Sequence, residues 1–122
     1  MEQPFSLTSE LRNNRLVITT TGYVNNVGGE AIAEEFKRHF AGGVKHLVIN
    51  LAQSRVVNSI GMSFLIEMIE TLHEHGGRMI FTNLDPAVEK MLAIMGLFKF
   101  AGKENSVEDA LRAFEAPPSD DR

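Results

Sequence analysis

His46-Leu47-Val48-Ile49-Asn50-Leu51, followed after a short loop by Val56-Val57-Asn58-Ser59-Ile60-Gly61-Met62-Ser63, decides the fold of this chain. Leu47, Val48 and Ile49 make a compact apolar run without polar alternation, the pattern of an interior strand buried on both faces. From Asn58 or Ser59 to His75 the spacing turns helical. At about 100° per residue, Leu65, Met68, Ile69 and Leu72 share one stripe, and Ser63, Glu67, Glu70 and Glu74 lie opposite. Gly76-Gly77 stops this helix where a residue without Cβ suits the left-handed C-terminal position.

Working toward the N-terminus, Phe5 to Leu11 and Arg15 to Thr21 are rich in β-formers, and Asn13-Asn14 between them tolerates the positive φ of a tight hairpin turn. Gly22-Tyr23-Val24 and the polar loop Asn25-Asn26-Val27-Gly28-Gly29 lead into a helix with Ile32, Phe36 and Phe40 every four residues, ended by Ala41-Gly42-Gly43. Working toward the C-terminus, Arg78 to Asn83 is the next strand. Asp85-Pro86 starts a helix, because the carboxylate caps free N–H groups and proline needs no donor in the first turn. Gly96 closes that helix, Leu97 to Ala101 reads as a short edge strand, and Ser106 caps a last helix with Val107, Ala110, Leu111 and Phe114 on one side.

The order β-β-α-β-α-β-α-β-α predicts an α/β domain over residues 1–115: a mixed sheet of four to five strands, an N-terminal hairpin and about four helices with right-handed crossovers. Residues 116–122, rich in proline and charge, read as a frayed tail. At 122 residues the chain suffices for one core. Without cysteine there is no disulfide, no thiol catalysis and no cysteine-bound zinc. A net charge of −4 gives no basic footprint for nucleic acid, so a protein is the expected partner. The longest apolar run, Met91 to Phe98, is far too short for membrane insertion. Met1-Glu2-Gln3-Pro4 lacks the pattern of a secretory signal, which makes a cytoplasmic address the expectation.

The loop between the central strand and the long helix is where parallel α/β sheets place functional groups. Ser59 stands at that helix start, on the boundary of the stripe, above Met62, Ser63 and Ile66. Two roles suit a hydroxyl there. It, or the side-chain oxygen of Asn58, can cap a free N–H. Alternatively Ser59 accepts a phosphoryl group where the helix dipole tolerates an anion. Met62 and Ile66 are read either as apolar surface for a partner or as the edge of the core.

The strand Leu47-Val48-Ile49-Asn50-Leu51, the segment Val56 to Met62, Gly77-Arg78-Met79-Ile80, and Gly96-Leu97 with Phe100 together resemble a STAS domain of the anti-sigma-factor antagonist type. The likeness runs from about Phe5 to Phe114. It implies that Ser59 is the phosphoacceptor and that Gly61 is the glycine of the family's Asp-Ser-Ser-Gly or Asp-Ser-Thr-Gly loop. It further implies a partner that is both an anti-sigma factor and a histidine-kinase-like serine kinase, with a serine phosphatase restoring the complex. Tyr23, Asn25, Asn58, Ser59, Ile60, Gly61, Met62, Ser63 and Ile66 are then the partner-facing residues. Three positions depart from the pattern: Asn58 and Asn50 replace aspartates, and Ile60 replaces a hydroxyl residue. These departures also suit a second role known for such domains, a constitutive subunit of a transport or stress-signalling assembly.

No enzyme is expected, since no nucleophile–base pair or metal cluster emerges, and no cofactor is called for. His73 and His75, two residues apart on a helix, point about 200° apart and do not chelate one ion. His39 and His46 read as structural or surface groups. The Asn25 to Gly29 loop lacks the glycine spacing and lysine of a phosphate-binding loop.

Overall fold

The computed structural model describes residues 4–115; the tail expected at 116–122 lies outside the described residues. β1 (Ser6–Arg12) and β2 (Arg15–Thr21) pair antiparallel from Ser6↔Thr21 to Arg12↔Arg15. Asn13 and Asn14 join them with φ of 52° and 68°, the two successive positive values that let a two-residue turn follow the strand twist.

α1 (Asn26–Phe40), α2 (Ser59–Glu74) and α3 (Pro86–Ile94) alternate with β3 (His46–Gln53), β4 (Arg78–Thr82) and β5 (Gly102–Glu104), and α4 (Val107–Glu115) follows. The five strands lie in chain order, and every pair after the hairpin is parallel. Alternation along the strands separates two cores. Leu16, Ile18, Leu47, Ile49, Met79 and Phe81 face α1, α2 and α3, where Ile32, Phe36, Leu65, Leu72, Val88 and Leu92 meet them. Val17, Val48 and Ile80 point the other way, onto Ala110 and Leu111 of α4. That two-sided burial is why β3 carries an unbroken apolar run.

The expected caps are in place: Asp85 Oδ2 accepts from Ala87 N at 3.0 Å, and Ser106 Oγ accepts from Asp109 N at 3.1 Å. Gly76 closes α2 in the left-handed region, at φ 77°. The edge strand expected at Leu97 to Ala101 is corrected. Leu97–Lys99 is a single 3₁₀ turn, and the fifth strand is Gly102–Glu104. Gly96, at φ 84°, turns the chain sharply enough to drive Leu97 into the core and set Phe98 edge-on to Phe81, 6.2 Å between centroids. Pairing begins only where Gly102 meets Ile80.

His39 and His46 both have structural partners. His46 lies in register between Arg15 and Arg78 and packs edge-on against Phe114 at 4.9 Å. Burial, with the two arginines adding to it, holds its imidazole below the ordinary range. Arg15 in turn pairs with Glu115 at 3.1 Å, so the end of α4 is fixed to the base of the sheet.

Glu35 ties α1 to β1. Its carboxylate accepts from Arg38 at 2.7 Å, from Ser9 Oγ, and contacts His39 Nε2 at 3.1 Å. These hydrogen bonds, that of Arg38 foremost, lower its pKa from 4.5 to about 2. A depressed folded pKa stabilises fully above the unfolded value, and the contribution disappears as pH falls from 4.5 toward 2. In urea melts across that window the midpoint of wild type should fall steeply, and Glu35→Gln should flatten the fall while lowering the midpoint at neutral pH.

Candidate functional site

The loops that leave β2 and β3 are joined edge to edge. Gly22 N donates to Gln53 O at 2.9 Å, Val24 N to Val56 O at 2.9 Å, and Asn58 N to Val24 O at 3.1 Å. Val24 and Val57 thereby form a parallel bridge beyond the sheet proper, both buried. Beneath it the hydroxyls of Thr20 and Ser54 are fully buried and bonded to each other at 2.7 Å.

This junction sets the first turns of α1 and α2 side by side. Asn25 caps α1, its Oδ1 accepting from Val27 N at 3.0 Å and Gly28 N at 3.1 Å. Asn58 caps α2, its Oδ1 accepting from Gly61 N at 2.8 Å. Glycine is required where the turns meet. A Cβ on Gly61 would stand 2.3 Å from Val24 O, and one on Gly29 would stand 2.5 Å from Cδ2 of Phe64 and 3.2 Å from the Gly61 Cα. Neither first turn contains an acidic residue.

Ser59 is the first residue of α2 and is exposed. The choice between capping and a free hydroxyl resolves in favour of Asn58 as the cap. The Ser59 hydroxyl makes no hydrogen bond among the described residues. The two helix starts and the loop into α2 carry three exposed aliphatic side chains: Ile60 and Val56, each 52% exposed, and Val27, 61% exposed. Tyr23 and Asn25 are half-buried on the same rim, and Ser63 is exposed with its Oγ donating to Ile60 O at 2.6 Å.

Three expected partner-facing residues lie elsewhere. Met62 is 2% exposed and belongs to the core, since the helix stripe extends one turn further toward the N-terminus than Leu65. Gly61 is buried against Val24 and offers no surface, although its small size makes the surface possible. Ile66 is half-buried and opens into a separate groove with Met95 and Phe100. Val27 and Val56 were not singled out by sequence. The signal for Val56 was available: in an extended pair, burying Val57 turns its neighbour outward. His73 and His75 diverge as expected, His73 onto Phe100 and His75 onto Phe40. Among the described residues no group of three or more His, Cys, Asp or Glu is placed to hold a metal ion, and no helix is long and apolar enough to cross a membrane.

A parallel sheet with an antiparallel hairpin edge, two paired helix starts and an exposed serine between them defines an α/β domain whose distinctive surface is a rim rather than a cleft. The STAS domain family model matches residues 7–110, and the chain belongs to that family. It is 24% identical over 109 residues to BtrV of Bordetella bronchiseptica, a protein that carries the name of an anti-sigma factor antagonist; the match covers 89% of this chain and 94% of BtrV. Among solved structures it is similar to an anti-sigma factor antagonist from Mycobacterium paratuberculosis, with a TM-score of 0.81, 22% identity, and coverage of 93% of this chain and 96% of that one. It is also similar to the Bacillus cell fate determinant SpoIIAA in its phosphorylated form, with a TM-score of 0.72, 21% identity, and coverage of 89% and 99%.

The junction makes two contrasting expectations for neighbouring positions. Asn58→Ala should lower unfolding free energy by about 0.5–2 kcal/mol, and Ser59→Ala should change it by less than about 0.5 kcal/mol. Gly61→Ala should cost roughly 1–3 kcal/mol by overpacking, opposite in sign to the usual gain of alanine over glycine within a helix. Urea melts of the three variants at neutral pH measure all of this.

Proposed function

We propose that the chain is an anti-sigma factor antagonist: a regulatory binding module that docks through the Ser59 rim onto an anti-sigma factor of the histidine-kinase-like serine kinase type. The partner phosphorylates Ser59 and thereby releases the module, and a serine phosphatase restores it. The module itself performs no catalysis and acts in the cytoplasm.

The observation that carries this reading is the state of Ser59. Its hydroxyl is exposed and spared from capping, because Asn58 satisfies the N–H of Gly61. A phosphoryl group there would carry roughly −1.5 to −2 charges. It would sit at the positive ends of two helix dipoles, with no acidic side chain in either first turn to repel it. The folded domain would therefore accept the modification, and its cost would fall on the complex. Val27, Val56 and Ile60 are the apolar surface that a partner would dry, and a dianion between them must either be stripped of water or keep the surfaces apart. That SpoIIAA is known both unphosphorylated and phosphorylated fits a fold that survives the change.

A second reading, a constitutive subunit of a transport or stress-signalling assembly, is favoured by Asn58 and Ile60. Asn58 keeps the cap without a carboxylate, and Ile60 puts an aliphatic side chain beside the serine. The two readings separate in one set of measurements. Incubation with ATP and a histidine-kinase-like anti-sigma factor of the same organism should add one phosphoryl group by intact mass to wild type and none to Ser59→Ala. In pull-down or calorimetry Ser59→Ala should keep the partner, and Ser59→Asp should weaken it at least about tenfold, or 1.4 kcal/mol. Equal binding by both variants, with no gain in mass, would leave only the constitutive subunit.

A further inference from the structure

A second apolar surface lies on the other flank of α2, remote from Ser59. A groove of about 540 Å³ runs between α2 and the end of α3. Ile66 and Ile69 form one side of its floor, Met95 and Phe100 the far side, and Glu70 and Glu74 its rim. Met95 is 53% exposed and Phe100 61%, and the apolar strip continues along α3 through Met91 at 40% and Ile94 at 73%. Only Val88 and Leu92 of α3 are buried, and the apolar Met91 and Ile94 of the same helix are exposed. Its methionines are flexible and polarizable, suited to a surface that repacks on contact.

The acidic wall says what kind of partner fits. Glu70 and Glu74 line the groove from the exposed side of α2, and among the described residues neither is within ion-pair distance of a cation. Glu74 is the last residue of α2 and Glu70 lies one turn earlier, so both face the negative end of the helix dipole. The only basic side chain in that last turn is His73, which packs against Phe100. Lys99 and Arg78 line an adjoining hollow that shares His73 and Phe100 with the groove but not Glu70 or Glu74. Uncompensated acidic groups beside exposed aliphatic and aromatic ones are complementary to one kind of element.

We propose that this groove receives an amphipathic α-helix of a partner protein, its apolar face on Ile66, Met95 and Phe100 and a row of Lys or Arg against Glu70 and Glu74. Such a helix offers anchors at i, i+3, i+4 and i+7, the recurring mode of helix-in-groove recognition. Along α2, at 1.5 Å per residue, Ile66 lies about 10 Å and Glu70 about 16 Å from Ser59, and Ser59 does not line the groove, so this surface stands whether or not Ser59 is modified.

The probe is a synthetic peptide about 15 residues long with leucine at i, i+3, i+4 and i+7 and lysine on the flanks. Two controls accompany it: the same peptide with glutamate for lysine, and a scrambled one of equal charge. Titrated into isotope-labelled protein, the lysine peptide should give saturable amide shifts at Ile66, Glu70, His73, Met95 and Phe100 and leave Ser59 unmoved. Glu70→Gln with Glu74→Gln should weaken it at least about tenfold, and Phe100→Ser should abolish it; all three side chains are exposed, and the amide spectrum of each free variant should match wild type outside the groove, which shows that the fold is kept. Equal binding of the glutamate or scrambled peptide, or shifts centred elsewhere, would overturn the proposal. So would a concentration-dependent doubling of mass in sedimentation that Phe100→Ser removes, because the groove would then belong to a second copy of the chain.

Discussion

The close approach of two backbones at Val24 and Gly61 governs the rest of the site. β2 and β3 are neighbours in the sheet, and their hydrogen bonding continues past it through Val24 and Val57. The chain therefore enters α1 and α2 from one continuous ribbon. Side chains at Gly29 or Gly61 would wedge the helices apart, since each hypothetical Cβ falls within 2.5 Å of an atom across the junction. With glycine at both places the first turns touch. Ser59 is consequently presented on a junction braced by backbone hydrogen bonds and a buried hydroxyl pair, and loop mobility is not needed to expose it.

Much of this was legible because the deciding signals are local. The paired positive φ of Asn13 and Asn14, the two-sided apolar run of β3, the glycine stop of α2 and the caps at Asp85 and Ser106 each depend on residues within one turn or strand. What failed to be legible depends on tertiary placement. Leu97 to Ala101 has strand-like composition, yet Gly96 turns the chain so that Leu97 fills the core first and the strand is postponed to Gly102. Met62 lies on the margin of the helical stripe, and whether such a position is covered depends on what packs over the first turn. Ile66 likewise opens toward α3, whose position no local pattern reveals.

The departures from the family's acidic loop also acquire a physical meaning. A capping residue needs a side-chain oxygen and not a charge, so Asn58 performs the cap through Oδ1 as an aspartate would. Asn50 similarly uses its Oδ1 to accept from Ala52 N at 3.0 Å, steadying the end of β3. Both substitutions retain geometry and remove negative charge. The rim is thus less acidic than the Asp-Ser-Ser-Gly pattern that the resemblance implies, and an anion at Ser59, if the proposed modification occurs, would meet less repulsion within this chain. It also takes away a carboxylate that an incoming kinase could use to orient the hydroxyl.

One helix carries three different demands, and its rigidity keeps them separate. The stripe of Met62, Leu65, Met68, Ile69 and Leu72 fixes α2 to the sheet, leaving its N-terminus and its acidic flank free. Because Asn58 rather than Ser59 supplies the cap, adding charge at Ser59 changes the surface potential without removing any bond that starts the helix. The proposed switch would then act by repulsion and desolvation at the Ser59 rim, with no need to remodel the fold. The same reasoning bears on the groove: its near end at Ile66 lies two turns, about 10 Å, from Ser59 and its acidic rim at Glu70 about three turns, so at physiological salt, with a Debye length of about 8 Å, that rim feels little of the charge. Any coupling between the two surfaces must then pass through a partner that touches both.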